Sequence, residues 1–206
     1  NGASNAPPTR GEGRKQDRKK NGYQMINATP GQTPSEQKDI YETLLKKWQG
    51  KINLVSSSTL QEARFRHFED SAQILPMIPM KANSLYDLGS GAGFPGLVIA
   101  IEKPDLKVHL IESNAKKTSF LKTVVRDSGL ENVHVHTARI ENMVQDLPPP
   151  DIITARALAP LTQIFDLTID WAEQKPKLRF ILLKGQSAKE EIAKALEHYR
   201  FNHYYA

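Results

Sequence analysis

Asp87 is followed by Gly89, Gly91 and Gly93, one residue apart, at the end of an apolar run, Ser84-Leu-Tyr-Asp-Leu88. An acid and three glycines there describe a strand entering a turn whose bare backbone lets a ligand lie against it. Two ligands compete for the turn. Gly91, Gly93 and Gly96 have the spacing of a dinucleotide fingerprint, with Glu112 placed to hold a ribose diol. In the other register, Asp87 with Gly89, Gly91 and Gly93 suits a cationic amino-acid moiety, which S-adenosylmethionine carries and a pyrophosphate does not. Asp87 would repel a pyrophosphate, and the dinucleotide signature would begin four residues after that acid rather than directly after the strand. Glu112 serves the adenosine ribose in either case.

The surrounding pattern supplies elements to position this turn. Strands are expected at Ser84 to Leu88, Lys107 to Ile111, Val133 to Thr137, Asp151 to Thr154 and Phe180 to Leu183. Helices are expected through Leu97 to Ile101, Lys116 to Ser128, Leu161 to Ala172 and Ala188 to Tyr199. Such alternation predicts an α/β fold, a mainly parallel sheet covered by helices on both faces. Upstream, Pro34 and Ser35 start a helix that presents Ile40, Leu44, Leu45 and Trp48 on one face and stops at Gly50. A second helix is expected over residues 59 to 75, ended by Pro76 and Pro79. Residues 34–83 therefore read as a helical cap and residues 84–206 as the ligand-binding domain.

Composition narrows the chemistry further. The 206 residues contain no cysteine, which excludes a thiolate nucleophile, a cysteine-ligated zinc and an iron–sulfur cluster. No apolar stretch approaches the roughly 20 residues needed to span a bilayer, and no leader is recognisable, so the expectation is a cytoplasmic protein with no membrane partner. The net charge is +5 and the pI about 9.3. Six basic and two acidic side chains in residues 1–33 carry +4 of it, whereas residues 84–206 balance 15 basic against 15 acidic groups. With so few apolar residues, 1–33 read as a disordered basic tail, and basicity belongs to the tail more than to the body. His134 and His136 would face one side of a strand, but two ligands without a third seldom make a metal site, and none is expected.

Several separated segments resemble one family, the S-adenosylmethionine-dependent methyltransferases that modify N7 of a guanine in small-subunit (16S) ribosomal RNA, the glucose-inhibited division protein B family. They are Trp48-x-x-x-x-Asn53-Leu54, Arg66-His67-x-x-Asp70-Ser71, Asp87-x-Gly89-x-Gly91-x-Gly93-Phe94-Pro95-Gly96, Arg139-Ile140-Glu141, Arg156-Ala157 and Lys184-Gly185-Gln186. The match covers roughly residues 34 to 200 and departs from the usual pattern at Gln49 and Val55. It implies a Rossmann-like class I methyltransferase in which Gly89, Phe94, Ile140 with Glu141, and Arg156 contact the cofactor. It also implies a closing C-terminal hairpin, of which this chain holds only the opening, within Asn202 to Ala206.

Methyl transfer to a ring nitrogen needs alignment rather than a base, and no catalytic acid or base is assigned. Exocyclic amines are typically served by an Asp/Asn-Pro-Pro-aromatic turn after the fourth strand, where this chain reads Thr154-Ala155-Arg156-Ala157. C5 of a pyrimidine requires a cysteine. To splay out a buried guanine, cations and stacking surfaces at the rim are needed. Arg66, His67 and Lys184 are the RNA-binding candidates, and Arg156 suits either a cofactor carboxylate or RNA. Phe94 and Trp48 are large enough to stack on a base, although Trp48 has core spacing. For Arg66 and Lys184 a surface ion pair is the plain alternative, and for His67 a structural hydrogen bond. The expected partner is 16S rRNA or the small subunit, engaged by a monomer. A nicotinamide-dependent oxidoreductase and a non-catalytic RNA-binding assembly factor remain the alternatives.

Overall fold

The computed structural model describes residues 31–55 and 64–205. Five parallel strands, β1 (Ser84–Leu88), β2 (Lys107–Glu112), β3 (Val133–Thr137), β4 (Ile152–Arg156) and β5 (Arg179–Leu183), form one sheet in the order β3-β2-β1-β4-β5. The order reverses beside β1, so the first strand-to-helix turn opens at a topological switch point, where open α/β sheets bind ligands. Alternation along the strands sends Leu85, Val108, Leu110 and Ile152 to one face and Tyr86, Leu88, Ile111 and Ile153 to the other. Each face needs a helical cover.

Among the described residues, two helices pack on the first face and the N-terminal helix packs on those two. Helix α1 (Pro34–Gln49) starts at Thr33, whose hydroxyl accepts from the Glu36 amide while the Glu36 carboxylate accepts from the Thr33 amide, with Pro34 at the first helical position. This capping box satisfies two otherwise orphaned donors. The cap thus lies one residue before the expected Pro34-Ser35 start. Tyr41, Leu44 and Leu45 are buried, and α1 packs on α3 (Gly96–Glu102) and α4 (Ala115–Asp127). Trp48 meets the Phe120 ring edge-on at 5.8 Å and packs on the core, as its spacing suggests. Residues of α1 share one hydrophobic cluster with the sheet. Each fully buried side chain of this size contributes about 2 kcal/mol. At Gln49 the side chain closes the turn after α1: its Oε1 accepts from the Leu54 and Val55 amides, both at 3.0 Å.

The expected helix over 59–75 is only partly within the described residues. From Arg64 to Glu69 the chain makes a π-helical turn, then a short α2 (Asp70–Ala72) and a 3-10 turn, Leu75–Met77, over Pro76. On the second face lie α5 (Ile140–Asp146) and α6 (Leu161–Gln174), with Trp171 fully buried. Helix α7 (Ala188–Leu196) packs against α6. The sequence reading did not anticipate α5, and α7 ends three residues before the expected Tyr199. Residues 201–205 hold no strand, so the expected opening of a hairpin is not formed there; residues 1–30 of the expected tail lie outside the described residues, and its last residue, Thr33, caps α1. Among the described residues no helix is long and apolar enough to cross a membrane.

Candidate functional site at the glycine turn

Three glycines in the turn after β1 have left-handed backbone: Gly89 (φ +64°), Gly91 (φ +55°) and Gly93 (φ +97°), whereas Gly96 opens α3 with ordinary dihedrals. The residues that need glycine's freedom are therefore those of the acid-plus-three-glycine register. An added Cβ at Gly89 would lie 2.5 Å from Leu158 Cδ1, and at Gly93 it would lie 2.9 Å from Tyr41 Oη. At Gly91 only the Gly89 carbonyl oxygen, at 3.8 Å, comes near. The turn is packed on its flanks and open in the middle.

Asp87 and Thr154 are register partners on β1 and β4, and the Thr154 hydroxyl donates to Asp87 Oδ1 at 2.7 Å. Asp87 is 1% exposed. Its Oδ2 accepts no hydrogen bond of good geometry, although the Gly96 amide lies on that side and helps to hold the charge. Burial raises the carboxyl from its ordinary value to about 6, against the lowering pull of Thr154, Ser90, Gly96 and Arg156. Glu112, at the end of β2, is also buried. Its Oε2 accepts from the Gly91 amide at 3.0 Å and its Oε1 from the Asn114 amide at 2.8 Å. A residue expected to meet a ribose thus also braces the turn itself, with one lone pair on each oxygen still open.

Tyr41 is a site residue the sequence reading missed. Its hydroxyl donates to the Ala92 carbonyl at 2.5 Å, which fixes the turn from α1. Burial pushes the phenol well above its usual value, so it remains a donor. Its signal was available: Tyr41, Leu44, Leu45 and Trp48 follow helical spacing.

Phe94 is 3% exposed. Its ring lies 5.1 Å from Tyr41, 5.2 Å from Phe68 and 5.1 Å from His67. This corrects the base-stacking expectation: a ring enclosed on these sides offers no face to a base. Arg156 continues the cluster, with its guanidinium carbon 5.0 Å from the Phe94 ring centroid and its Nη1 3.1 Å from His67 Nδ1. Arginine has no acceptor, so Nδ1 accepts and His67 carries its proton on Nε2. Burial lowers the Arg156 pKa, against Tyr41, Asp87 and Asp70, which raise it. The cation is held by a ring face and an imidazole at the end of β4.

Other expected residues are dispersed. Ile140 is buried at the start of α5, and Glu141 beside it is exposed. The Lys184 ammonium donates to the Ala159 carbonyl at 2.5 Å and to Glu191 Oε2 at 2.7 Å; it is an internal tie, the plainer of its two readings. The Arg66 side chain lies outside the described residues. His134 and His136 share one side of β3 and meet His109 on β2, with His109 Nδ1 2.9 Å from His136 Nε2. Among the described residues no group of three or more potential ligands is placed to hold a metal ion.

S-adenosylmethionine suits this donor set. A buried carboxylate oxygen without a hydrogen bond and a second carboxylate behind the open Gly91 favour a ligand with an ammonium and ribose hydroxyls over one with a pyrophosphate. Gly96 needs glycine for a different reason, since an added Cβ would lie 2.4 Å from Leu110 Cδ2 and 2.8 Å from Asp87 Oδ2, so the charge of Asp87 and not the glycine spacing disfavours a pyrophosphate.

Comparison with solved structures finds the same fold at low identity. Precorrin-6y C5,15-methyltransferase from Geobacter metallireducens superposes with a TM-score of 0.51 at 15% identity, covering 70% of this chain and 72% of that one. Precorrin 8w decarboxylase from Methanobacterium thermoautotrophicum gives a TM-score of 0.51 at 23% identity, over 63% and 69% of the two chains. Sequence relatives are nearer. A ribosomal RNA small subunit methyltransferase G from Parvibaculum lavamentivorans is 44% identical, over 79% of this chain and 72% of that protein. One of the same description from Chelativorans sp. is 39% identical over 87% of each. The GidB family, described as rRNA small subunit methyltransferase G, matches residues 35–205. With that span and those identities, this chain belongs to the GidB family of Rossmann-like methyltransferases.

Proposed function

We propose that this protein methylates N7 of a guanine in small-subunit (16S) ribosomal RNA. The observation that carries the reading is the turn from Asp87 to Gly96, with its middle open at the sheet's switch point and two buried carboxylates behind it, in a chain of this family. S-adenosylmethionine, when bound, supplies an electrophilic methyl group on a sulfonium. Asp87 would set the negative end of the site toward the ligand's ammonium, Glu112 would meet the ribose while holding Gly91, and Ile140 with Glu141 would border the adenine.

Guanine N7 carries an in-plane lone pair that is unprotonated at neutral pH, so the chain need not remove a proton. Its task is to hold the two reactants in line and to screen developing charge. The segment Thr154-Ala155-Arg156-Ala157 fits that task, because it lacks the acceptor turn an exocyclic amine would require. Arg156, fixed over Phe94, is the cation at the rim, placed to meet a cofactor carboxylate or an RNA phosphate.

Transfer of labelled methyl groups to small subunits lacking the modification tests this reading. The expected result is about one methyl per particle, lost in Asp87→Ala. Cofactor binding without turnover on any subunit preparation would favour a non-catalytic assembly role instead.

A further inference from the structure

Immediately after Arg156 the chain crosses the site and then leaves it. Ala157 adopts a left-handed conformation (φ +50°), which a side chain disfavours unless its surroundings hold it there. Leu158 follows, with its Cδ1 2.5 Å from where a Cβ on Gly89 would stand. These residues connect the fixed guanidinium to the cofactor turn, and what holds them comes from the far edge of the sheet. Lys184, just past β5, donates to the Ala159 carbonyl at 2.5 Å and to Glu191 Oε2 at 2.7 Å. The same Glu191 oxygen accepts from the Leu161 amide at 2.8 Å, and Oε1 accepts from the Ser187 hydroxyl at 3.0 Å. Backbone groups on both sides of Pro160 are thus gripped by one ion pair whose side chains are only 17% and 22% exposed. Partial burial opposes ionisation of Glu191, yet the bonds from Lys184, Ser187 and Leu161 hold its carboxyl below the ordinary value.

We propose that Lys184 and Glu191 form a clamp that positions Ala157 to Ala159 against Gly89, which makes the first turn of α7 a positioning element of the cofactor site. The proposal rests on the methyltransferase reading for its ligand but not for its geometry. In this account Lys184 acts through the backbone and does not touch RNA. The clamp ties the segment after β4 to the stretch that runs from the end of β5 into α7, with Lys184 reaching a carbonyl 25 positions earlier. Its two charged members act as one unit, so removing either releases the loop.

Hydrogen exchange on the full chain without ligand reads the loop directly. Glu191→Gln and Lys184→Met are each expected to speed exchange at the Leu161 and Ile164 amides, which donate to Glu191 Oε2 and to the Pro160 carbonyl, and Lys184→Arg to restore protection. Calorimetric titration with S-adenosylmethionine, well below the melting temperature, is expected to show about tenfold weaker binding in either variant and no further loss in the double variant. Unchanged exchange overturns the clamp, whatever the cofactor does. A lowered melting temperature with unchanged cofactor affinity also overturns it, as does a rise in KM for small subunits alone, which would make Lys184 an RNA contact. If the wild-type chain itself fails to bind S-adenosylmethionine, the functional reading fails while the exchange experiment still decides the clamp.

Discussion

Alanine at Gly91 and at Gly93 separates the turn's ligand-facing position from its packed one. Both glycines have left-handed backbone, so each substitution incurs about 1 kcal/mol of backbone strain. Beyond that the two differ. At Gly91 the new methyl meets nothing nearer than a carbonyl oxygen at 3.8 Å, and the Gly91 amide keeps its bond to Glu112. At Gly93 the methyl would lie 2.9 Å from both Leu97 Cγ and Tyr41 Oη, and yielding would break the Tyr41 bond to Ala92. Overpacking of this kind adds about 2 kcal/mol. Urea unfolding is therefore expected to show a loss of about 1 kcal/mol for Gly91→Ala and about 3 kcal/mol for Gly93→Ala. Calorimetry should reverse the order of interest: Gly91→Ala, although nearly as stable as wild type, should lose at least about tenfold in S-adenosylmethionine affinity, or 1.4 kcal/mol, because its methyl occupies space left for the ligand. Wild-type affinity in Gly91→Ala would refute the assignment of the open side of the turn to the cofactor.

Further expectations concern pH and salt. Burial, with His136, His134 and Lys107, lowers the His109 pKa to about 4; its stabilising contribution is complete above about 6.5 and is lost as pH falls toward 4, by about 1 kcal/mol once solvent screening of a half-buried ring is allowed for. His109→Gln should flatten that slope in pH-dependent urea midpoints. Asp87 has the opposite sign, because its native pKa is raised to about 6: its contribution is complete below about 3.8 and is lost as pH rises through 6, by about 3 kcal/mol. The two slopes overlap, so the Asp87 term is read as the difference between wild type and Asp87→Asn. Binding of a cationic ligand favours the ionised carboxylate, so calorimetry near pH 6 in buffers of different ionisation enthalpy should detect proton release that Asp87→Asn lacks. Deleting residues 1–30, which hold the +4 cluster and spare the Thr33 cap, should flatten the salt dependence of RNA binding without changing cofactor affinity; an unchanged slope would make the tail incidental.

Much of the fold was legible because strand and helix periods are local properties. β1 and β3 match their expected spans, β2 and β5 each differ by one residue at one end, and β4 starts one residue later and runs two residues further than expected, which puts Arg156 on the strand itself. Helix α5 was missed because its seven residues make barely two turns and mix apolar with polar side chains, too short a stretch to establish a helical period. The turn register was readable from Asp87 and its glycines, since left-handed backbone requires them. Partnerships were not. Nothing in the sequence says that His67 accepts from Arg156 across 89 positions, that Glu112 reaches back to Gly91, or that Lys184 grips the Ala159 carbonyl. Such contacts depend on how strands distant in sequence align, and local spacing carries no information about them. Phe94 shows the same limit from the other side: its type suggested stacking on a base, whereas Tyr41 and Phe68 enclose it.

In the proposed function the Asp87 turn presents a methyl group to guanine N7 in small-subunit RNA. Chemical cleavage at N7-methylated guanine, mapped by reverse-transcription stops on subunits incubated with the protein and S-adenosylmethionine, tests it most directly. A single new stop at one guanine, absent when the protein is omitted and absent with Asp87→Ala, is the predicted result. Methyl incorporation that produces no cleavage, or labels an exocyclic amine or ribose, would contradict it.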